Sequence, residues 1–363
     1  MTPKSLCTGC GACAAACKEK AITMKRDGEG FAYPAITPAL CTHCGLCDKI
    51  CPIQKGPASA GENVFFGARA REEGARLCGS SGGIFPLLAA RVLQSGGVVF
   101  GAALSENGRV QHKSIRRIEE LPQITRTKYV QSDLSAVFSE LLDLLPAERP
   151  VLFCGTPCQC AALRALFGKV EGLLLVSLIC FGVPSPGIWE RYVRFMEKQY
   201  GGPFHSFSFR DKRNRDNGHT AALQIGGREY CCPLSKDPFC SSFFRRINLR
   251  PCCSHCRYCT VDRESDITLG DFWGIEQLKP DWEDGLGCSA IICHTPEGMR
   301  LWESIRERTE WFSCEEKDLA NPRQPRLRQP TALSPLRPLY MRLYRLLPFS
   351  CWIRLFGPVK KGR

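Results

Sequence analysis

Two cysteine runs of identical spacing constrain this chain more than any other feature. "CTGCGACAAAC" supplies Cys7, Cys10, Cys13 and Cys17, and "CTHCGLCDKICP" supplies Cys41, Cys44, Cys47 and Cys51. Both read C-x2-C-x2-C-x3-C, the spacing that wraps a loop around a 4Fe-4S cube. Small residues at Gly9, Gly11 and Gly45 let the backbone close on the cube and aim N–H groups at its sulfurs. Zinc motifs rarely use three cysteines at successive x2 spacing. In two-cluster proteins of this pattern, three cysteines of one run share a cluster with the last cysteine of the other. That rule assigns Cys7, Cys10, Cys13 and Cys51 to one cluster, and Cys41, Cys44, Cys47 and Cys17 to the second. Lys18 follows Cys17 where a proline is usual, a change expected to adjust packing or potential without removing the cluster.

The other cysteines follow the same logic. There are 24 among 363 residues, a load that means disulfides in an oxidising compartment or metal-bound thiolates in a reducing one. "MTPKSLCTGC" has no basic region followed by an apolar segment, so no secretory signal is visible. The longest apolar stretch, "GLLLVSLICFG", is too short to span a bilayer. The expectation is a cytoplasmic protein whose thiols are mostly ligands, with membrane contact disfavoured. The formal charge is +13, yet Asp318 to Arg363 alone holds ten Arg or Lys against one acidic residue. The remainder is nearly balanced, which speaks against nucleic-acid binding and leaves the basic tail equally suited to an acidic protein partner or an anionic membrane surface.

Residues 1–56 read as a ferredoxin-like dicluster domain, and "IQKGPASAGEN" as a linker. "VFFGARA", "VVFGAAL", "VLFCG" and "LLLVSLICFG" are predicted strands, separated by helical patterns in "IFPLLAARVLQ", "SDLSAVFSELLDLL" and "QCAALRALFG". "SDITLGDFWG" is a further strand running into a loop. The fold class expected is α+β: a two-cluster ferredoxin-like domain, then an α/β flavin- and iron-sulfur-binding catalytic region. Its parts are 63–146, carrying the Ser/Gly loop, and 149–300; 301–363 is a basic Pro-rich tail ending in a helix with Leu339, Leu343, Leu346 and Leu347 on one side.

A ferredoxin needs only the first sixty residues. The order of "LCGSSGGIFPLLAARVLQSGGVVFGAAL", "TKYVQSDLSAVF", "VLFCGTPCQCAALR", "LICFGVPSPGIWERYV", "FSFRDKR" and "LRPCCSHCRYCTVDRESDITLGDFWGI" resembles the coenzyme F420 hydrogenase/dehydrogenase beta-subunit family, in members with an N-terminal 4Fe-4S dicluster domain. The similarity covers about residues 1–300. It implies a flavoprotein that binds FAD beside an iron-sulfur cluster and exchanges electrons with a deazaflavin, a ferredoxin or another redox partner. Ser80, Ser81, Gly82 and Gly83 precede a predicted helix, whose free N–H groups and dipole favour a pyrophosphate. Without the resemblance, the same loop reads as an ordinary helix cap. "KYVQSD" is similar to the family segment lining the flavin, which makes Lys128, Tyr129, Gln131 and Ser132 candidates, although Arg126-Thr127 replaces the usual Gly-Ser. His112 reads equally as a flavin neighbour and as a core histidine.

A third constellation is dispersed. Cys158 follows a Gly-Thr-Pro turn at a helix start, Cys180 ends a buried strand, and Cys253 and Cys256 form a C-x2-C pair in "RPCCSHCRYC". Strand ends converge at one edge of an α/β sheet, so four thiolates from these segments can hold a third 4Fe-4S cluster, and the resemblance supports those positions. Two alternatives stay open: a local zinc knuckle of Cys252, Cys253, Cys256 and Cys259, and a redox-active C-x2-C dithiol. Arg245, Arg246, Arg250 and Arg257 either offset cluster charge or form a solvated basic face. Asp266 and Asp271 read as loop organisers ahead of metal or catalytic carboxylates, and Trp273 as a core aromatic ahead of a residue packed on a cofactor.

The function expected is that of an iron-sulfur flavoprotein oxidoreductase. It passes electrons between a ferredoxin-like donor, its clusters and FAD, and on to a small-molecule two-electron acceptor, F420 or another. The alternative is a noncatalytic electron-transfer subunit docked on a partner oxidoreductase. No catalytic residue is assigned, since no Ser-His-Asp set, P-loop or paired carboxylate emerges.

Overall fold

The computed structural model describes residues 1–58, 61–147 and 149–357. The predicted linker and the tail therefore each extend partly beyond the described residues: Ser59 and Ala60 in the first case, 358–363 in the second. Near the N-terminus, β1 (Ile22–Arg26) and β2 (Ala32–Ile36) form an antiparallel hairpin between the two cysteine runs. In chain order there follow β3 (Val64–Ala70), β4 (Val98–Leu104), β5 (Val110–Ile115), β6 (Val151–Gly155), β7 (Leu173–Leu178), β8 (Phe204–Asp211), β9 (Thr220–Ile225), β10 (Arg228–Pro233), β11 (Ile267–Asp271), β12 (Ser289–Cys293) and β13 (Thr309–Cys314).

Eight of them make one mixed sheet in the order β13-β3-β12-β11-β7-β6-β4-β5. The centre, β4-β6-β7-β11, is parallel, and antiparallel pairs flank it on both sides. Three of the four parallel strands, β4, β6 and β7, are near-continuous apolar runs, as expected of strands covered on both faces, whereas β11 alternates apolar and polar residues. The two-residue period divides them cleanly. Val98, Phe100, Val151, Phe153, Leu173 and Leu175 face the helices Ser135–Leu144 and Pro157–Phe167. Val99, Leu152, Cys154 and Val176 face the other way, onto the helix Ile84–Gln94 and Trp302. The result is a helix–sheet–helix layer arrangement.

A second core joins the three-stranded sheet β10-β9-β8 to the helix Pro186–Tyr200 through Trp189, Tyr192, Phe207, Phe209 and Phe239. The chain beyond residue 300 belongs to both cores: β13 is the edge strand beside β3, and Met341, Tyr344, Trp352, Ile353 and Phe356 close the second core. The final helical pattern departs from the expected leucine stripe. In Arg337–Leu346 the buried side carries Met341 and Tyr344, while Leu339 and Leu346 are 54% and 68% exposed. Tyr344 packs edge-on against Trp352, and of the four leucines Leu343 and Leu347 remain partly buried against the same core.

Candidate functional site

Gly9 and Gly11 both adopt positive φ, 66° and 83°, and turn the first cysteine loop tightly into the short helix Ala12–Ala15. A Cβ on Gly9 would lie 2.6 Å from the Arg250 guanidinium, so only glycine fits there. The loop gathers Cys7, Cys10, Cys13 and, from the second run, Cys51. Burial pushes the Cys13 thiol up to about 12, with Cys10, Cys7 and Cys51 adding to the rise. Cys10 is raised for the same reasons, burial first and then the proximity of Cys7 and Cys51. Crowded, buried thiols of this kind are poor thiolates alone and are deprotonated outright by iron. Cys17 follows the short helix, and Cys41, Cys44 and Cys47 lie in and before the helix Leu46–Lys49, with Cys44 exposed.

The N-terminal region is fastened to the body around Arg250, which donates to Cys7 O at 2.8 Å, Ala32 O at 2.8 Å and Gln131 Oε1 at 2.9 Å. Tyr258 Oη donates to Pro52 O and Arg257 to Ile53 O. Ile53, Ala161 and Tyr258 form a small core, with Leu6, Cys51, Cys158 and Cys256 packed on it. Cys51 of the first cluster set and Cys158 and Cys256 of the third constellation thus share one apolar seam.

The third constellation lies past the carboxyl ends of the parallel strands, where open α/β sheets bind ligands. Thr156 follows β6 and caps the helix Pro157–Phe167 in a capping box with Gln159. Its Oγ1 stands 3.2 Å from Cys158 Sγ. Cys180 follows β7, and the turn Pro251–His255 carries Cys252 and Cys253. A cavity of about 280 Å³ is lined by Cys158, Cys180, Cys252, Cys253, Cys256 and Cys259. Burial raises the Cys158 thiol well above its ordinary value, with further increments from Cys256, Cys180 and Cys253. Cys180 is pushed up to about 12 by burial, then by Cys253 and Cys256. The four expected ligands therefore surround one space. Cys252 hydrogen-bonds Cys253, and Cys259 hydrogen-bonds Cys256, pulling the Cys256 thiol down to about 7 while its own rises. Among the described residues no three His, Cys, Asp or Glu side chains stand at single-ion spacing. The shared cavity has room for a polyatomic cluster, and its thiol lining suits iron.

A second, larger cavity of about 530 Å³ is lined by Ser80, Ser81, Gly83, Lys128, Tyr129 and Ser132, together with His112, Asp271 and Trp273. Gly83, at φ 84°, turns the Ser/Gly loop into the helix Ile84–Gln94. Ser80 Oγ accepts from Thr127 N at 2.6 Å, tying the two candidate flavin segments together. Lys212, 1% exposed, donates to Ser81 O and Leu286 O, bracing the loop from behind. Two expected residues lie off this lining. Gly82 packs on the sheet, its N–H on Ser289 Oγ and a hypothetical Cβ only 2.5 Å from Ala68 O. Gln131 is taken up by Thr8 O and Arg250 and helps dock the N-terminal region. Tyr129 stacks on Phe243 with centroids 4.7 Å apart.

His112 is 4% exposed and stacks on Phe153; its Nε2 donates to Cys154 O at 2.9 Å, and burial pushes its pKa down to about 4. It is thus neutral, and among the described residues Nδ1 has no partner. Asp271 pairs with Arg210 at 2.5 Å, and Asp266 accepts from Leu175 N and Thr295 Oγ1; both organise structure. Trp273 is 40% exposed at the rim, so it is no core residue.

The two cavities have a common wall, Cys180-Phe181-Gly182-Val183. Arg323, Gln324, Pro325 and Arg326 of the tail also line the larger one, a contribution with no motif to announce it. Gln324 Nε2 donates to Asp271 O, and Thr331 Oγ1 donates to Phe181 O, so the Pro-rich stretch straps across both cavities.

Comparison with known proteins supplies the relationship. Residues 148–317 match the family described as the C terminus of the coenzyme F420 hydrogenase/dehydrogenase beta subunit, and residues 6–55 match the 4Fe-4S dicluster domain. Among solved structures, a chain of the F420-reducing [NiFe] hydrogenase complex from Methanosarcina barkeri is similar over 85% of this chain and 98% of its own, at 17% identity and a TM-score of 0.44. No curated protein matches.

Proposed function

Because the chain belongs to the coenzyme F420 hydrogenase/dehydrogenase beta-subunit family and carries a 4Fe-4S dicluster domain, we propose that it relays electrons from a ferredoxin-like donor through three clusters to a flavin. From the flavin they pass to a small-molecule two-electron acceptor, F420 or another. The observation that carries this reading is the shared wall: the loop Cys180–Val183 borders both the six-thiol cavity and the larger cavity. The apolar seam of Ile53, Tyr258 and Cys158 links the first cluster set to the same place.

A bound FAD would supply the conversion between one- and two-electron chemistry. The residues around the larger cavity suit such a group. The Ser/Gly loop offers helix N-terminal N–H groups for an anionic moiety, and Tyr129 and Phe243 present an aromatic pair. His112 contributes a neutral acceptor at Nδ1. Lys128, held on Thr125 O at 2.6 Å, has its pKa brought down to about 7 by burial and by Arg126.

The test is anaerobic reconstitution with FAD followed by addition of a reduced ferredoxin. The expected result is tight FAD uptake and prompt bleaching of the flavin, with Cys158→Ala retaining flavin but slowing the bleaching. Uptake of clusters without flavin would instead make the chain a noncatalytic electron-transfer subunit.

A further inference from the structure

Among the described residues five arginines are buried, and they divide into two kinds. Arg76, Arg210 and Arg337 are paired with the carboxylates of Asp284, Asp271 and Glu29. Arg250 and Arg263, 0% and 2% exposed, are bonded only to neutral acceptors. Arg250 uses Cys7 O, Ala32 O and the Gln131 amide, with its guanidinium 4.2 Å from the centre of the Tyr33 ring. Arg263 donates to Thr260 O at 3.1 Å, Leu178 O at 2.9 Å and Ser177 Oγ at 3.4 Å. Among the described residues neither has a carboxylate partner. A guanidinium keeps its proton in proteins, and an uncompensated buried charge is strongly destabilising.

What both face is sulfur. Arg250 lines the smaller cavity beside Cys252 and Cys253, and it holds the backbone of Cys7. Arg263 holds the backbone of the same group, at Thr260 O one residue after Cys259 and at Leu178 O two residues before Cys180. The nearby Arg245 and Arg257, by contrast, are exposed, so water screens their charge. Thiolates that hold an iron-sulfur cube give the assembly a net negative charge, which supplies a counter-charge for the buried pair.

We propose that Arg250 and Arg263 are the counter-ions of an anionic cluster held by Cys158, Cys180, Cys253 and Cys256, and that their charge raises its reduction potential. They are positioning residues: they touch no acceptor and act through the cluster. The inference rests on the third-cluster reading, and one set of variants separates the two. Wild type, Arg263→Gln, Arg263→Lys, Arg250→Gln and Arg250→Lys are purified anaerobically. For each, iron per chain is measured, with the midpoint potential of the spectroscopic signal that Cys158→Ala abolishes. About eight irons in wild type would end the third-cluster reading itself. With about twelve, each Gln variant is expected to lower the potential by at least a tenfold shift in the redox equilibrium, about 59 mV for one electron. Alternatively it loses the third cluster, and in either case the matching Lys variant restores most of the wild-type behaviour. An unchanged potential in the Gln variants would overturn the counter-ion role. Lys variants as defective as Gln would do the same, because the requirement would then be shape and not charge.

Discussion

Cys158 separates the readings of the third cysteine group, because it alone among the expected ligands starts a helix following β6. Cys158→Ala is expected to reduce iron from about twelve to about eight atoms per chain. A local knuckle of Cys252, Cys253, Cys256 and Cys259 would keep its metal in that variant, so iron and zinc analysis of it decides the point. His294 provides a second residue-level test. It is 1% exposed, and its ring nitrogens bond Thr268 Oγ1 and Asn63 Oδ1, both at 2.7 Å. Burial, with Arg263 adding to it, pushes its pKa down to about 3. The unfolded chain therefore binds the extra proton below about pH 6.5 while the folded protein refuses it. The stability this contributes is present above pH 6.5 and lost as pH falls toward 3, by about 2 kcal/mol at pH 5. Thermal melts at pH 7 and 5 should diverge less in His294→Asn than in wild type; equal divergence would remove His294 as the cause. The cysteine spacings were legible because ligand geometry is written locally. Arg263 was not, since it reaches Leu178 O, two residues before Cys180, across a separation of 85 residues.

Elements differ in how openly the chain announces them. β3, β4 and β6 are apolar runs bounded by Gly, Pro or polar residues, and their observed ends coincide with the predicted ones. The sheet β8-β9-β10 was hidden: β10, "REYCCP", is half-exposed and mixes charge with cysteine, leaving no run or clean alternation. The tail was legible only in its final helical pattern; its prolines suggest irregular chain where the segment in fact crosses both cavities before feeding two helices into the second core. Trp352 anchors those helices, 0% exposed with Nε1 donating to Tyr340 O at 2.7 Å. Trp352→Ala is predicted to cost about 3–5 kcal/mol, as for other buried aromatics. Chemical denaturation would show it; a loss under about 1 kcal/mol would mean the tail is an appendage and not part of the core.

For the molecule as a whole, the order of sites matters more than any one of them. The first cluster set, the six-thiol cavity and the larger cavity follow one another from the docked N-terminal region into the sheet's carboxyl edge. Among the described residues no helix is long and apolar enough to cross a membrane. Docking depends on backbone contact at Gly30 and Gly187, where a Cβ on Gly187 would lie 2.6 Å from the Gly30 Cα. Gly187→Ala should weaken that docking by about 1–3 kcal/mol, the usual cost of overpacking. Limited proteolysis should then release the N-terminal region faster while total iron before cleavage stays unchanged; unaltered proteolysis would place the hinge elsewhere. The proposed relay sets three clusters and a flavin in series within one chain. The most direct measurement is combined iron, zinc and flavin quantification on anaerobically purified, FAD-reconstituted protein. The expected result is about twelve irons and one flavin per chain with no stoichiometric zinc. About eight irons, one zinc and no flavin would contradict it.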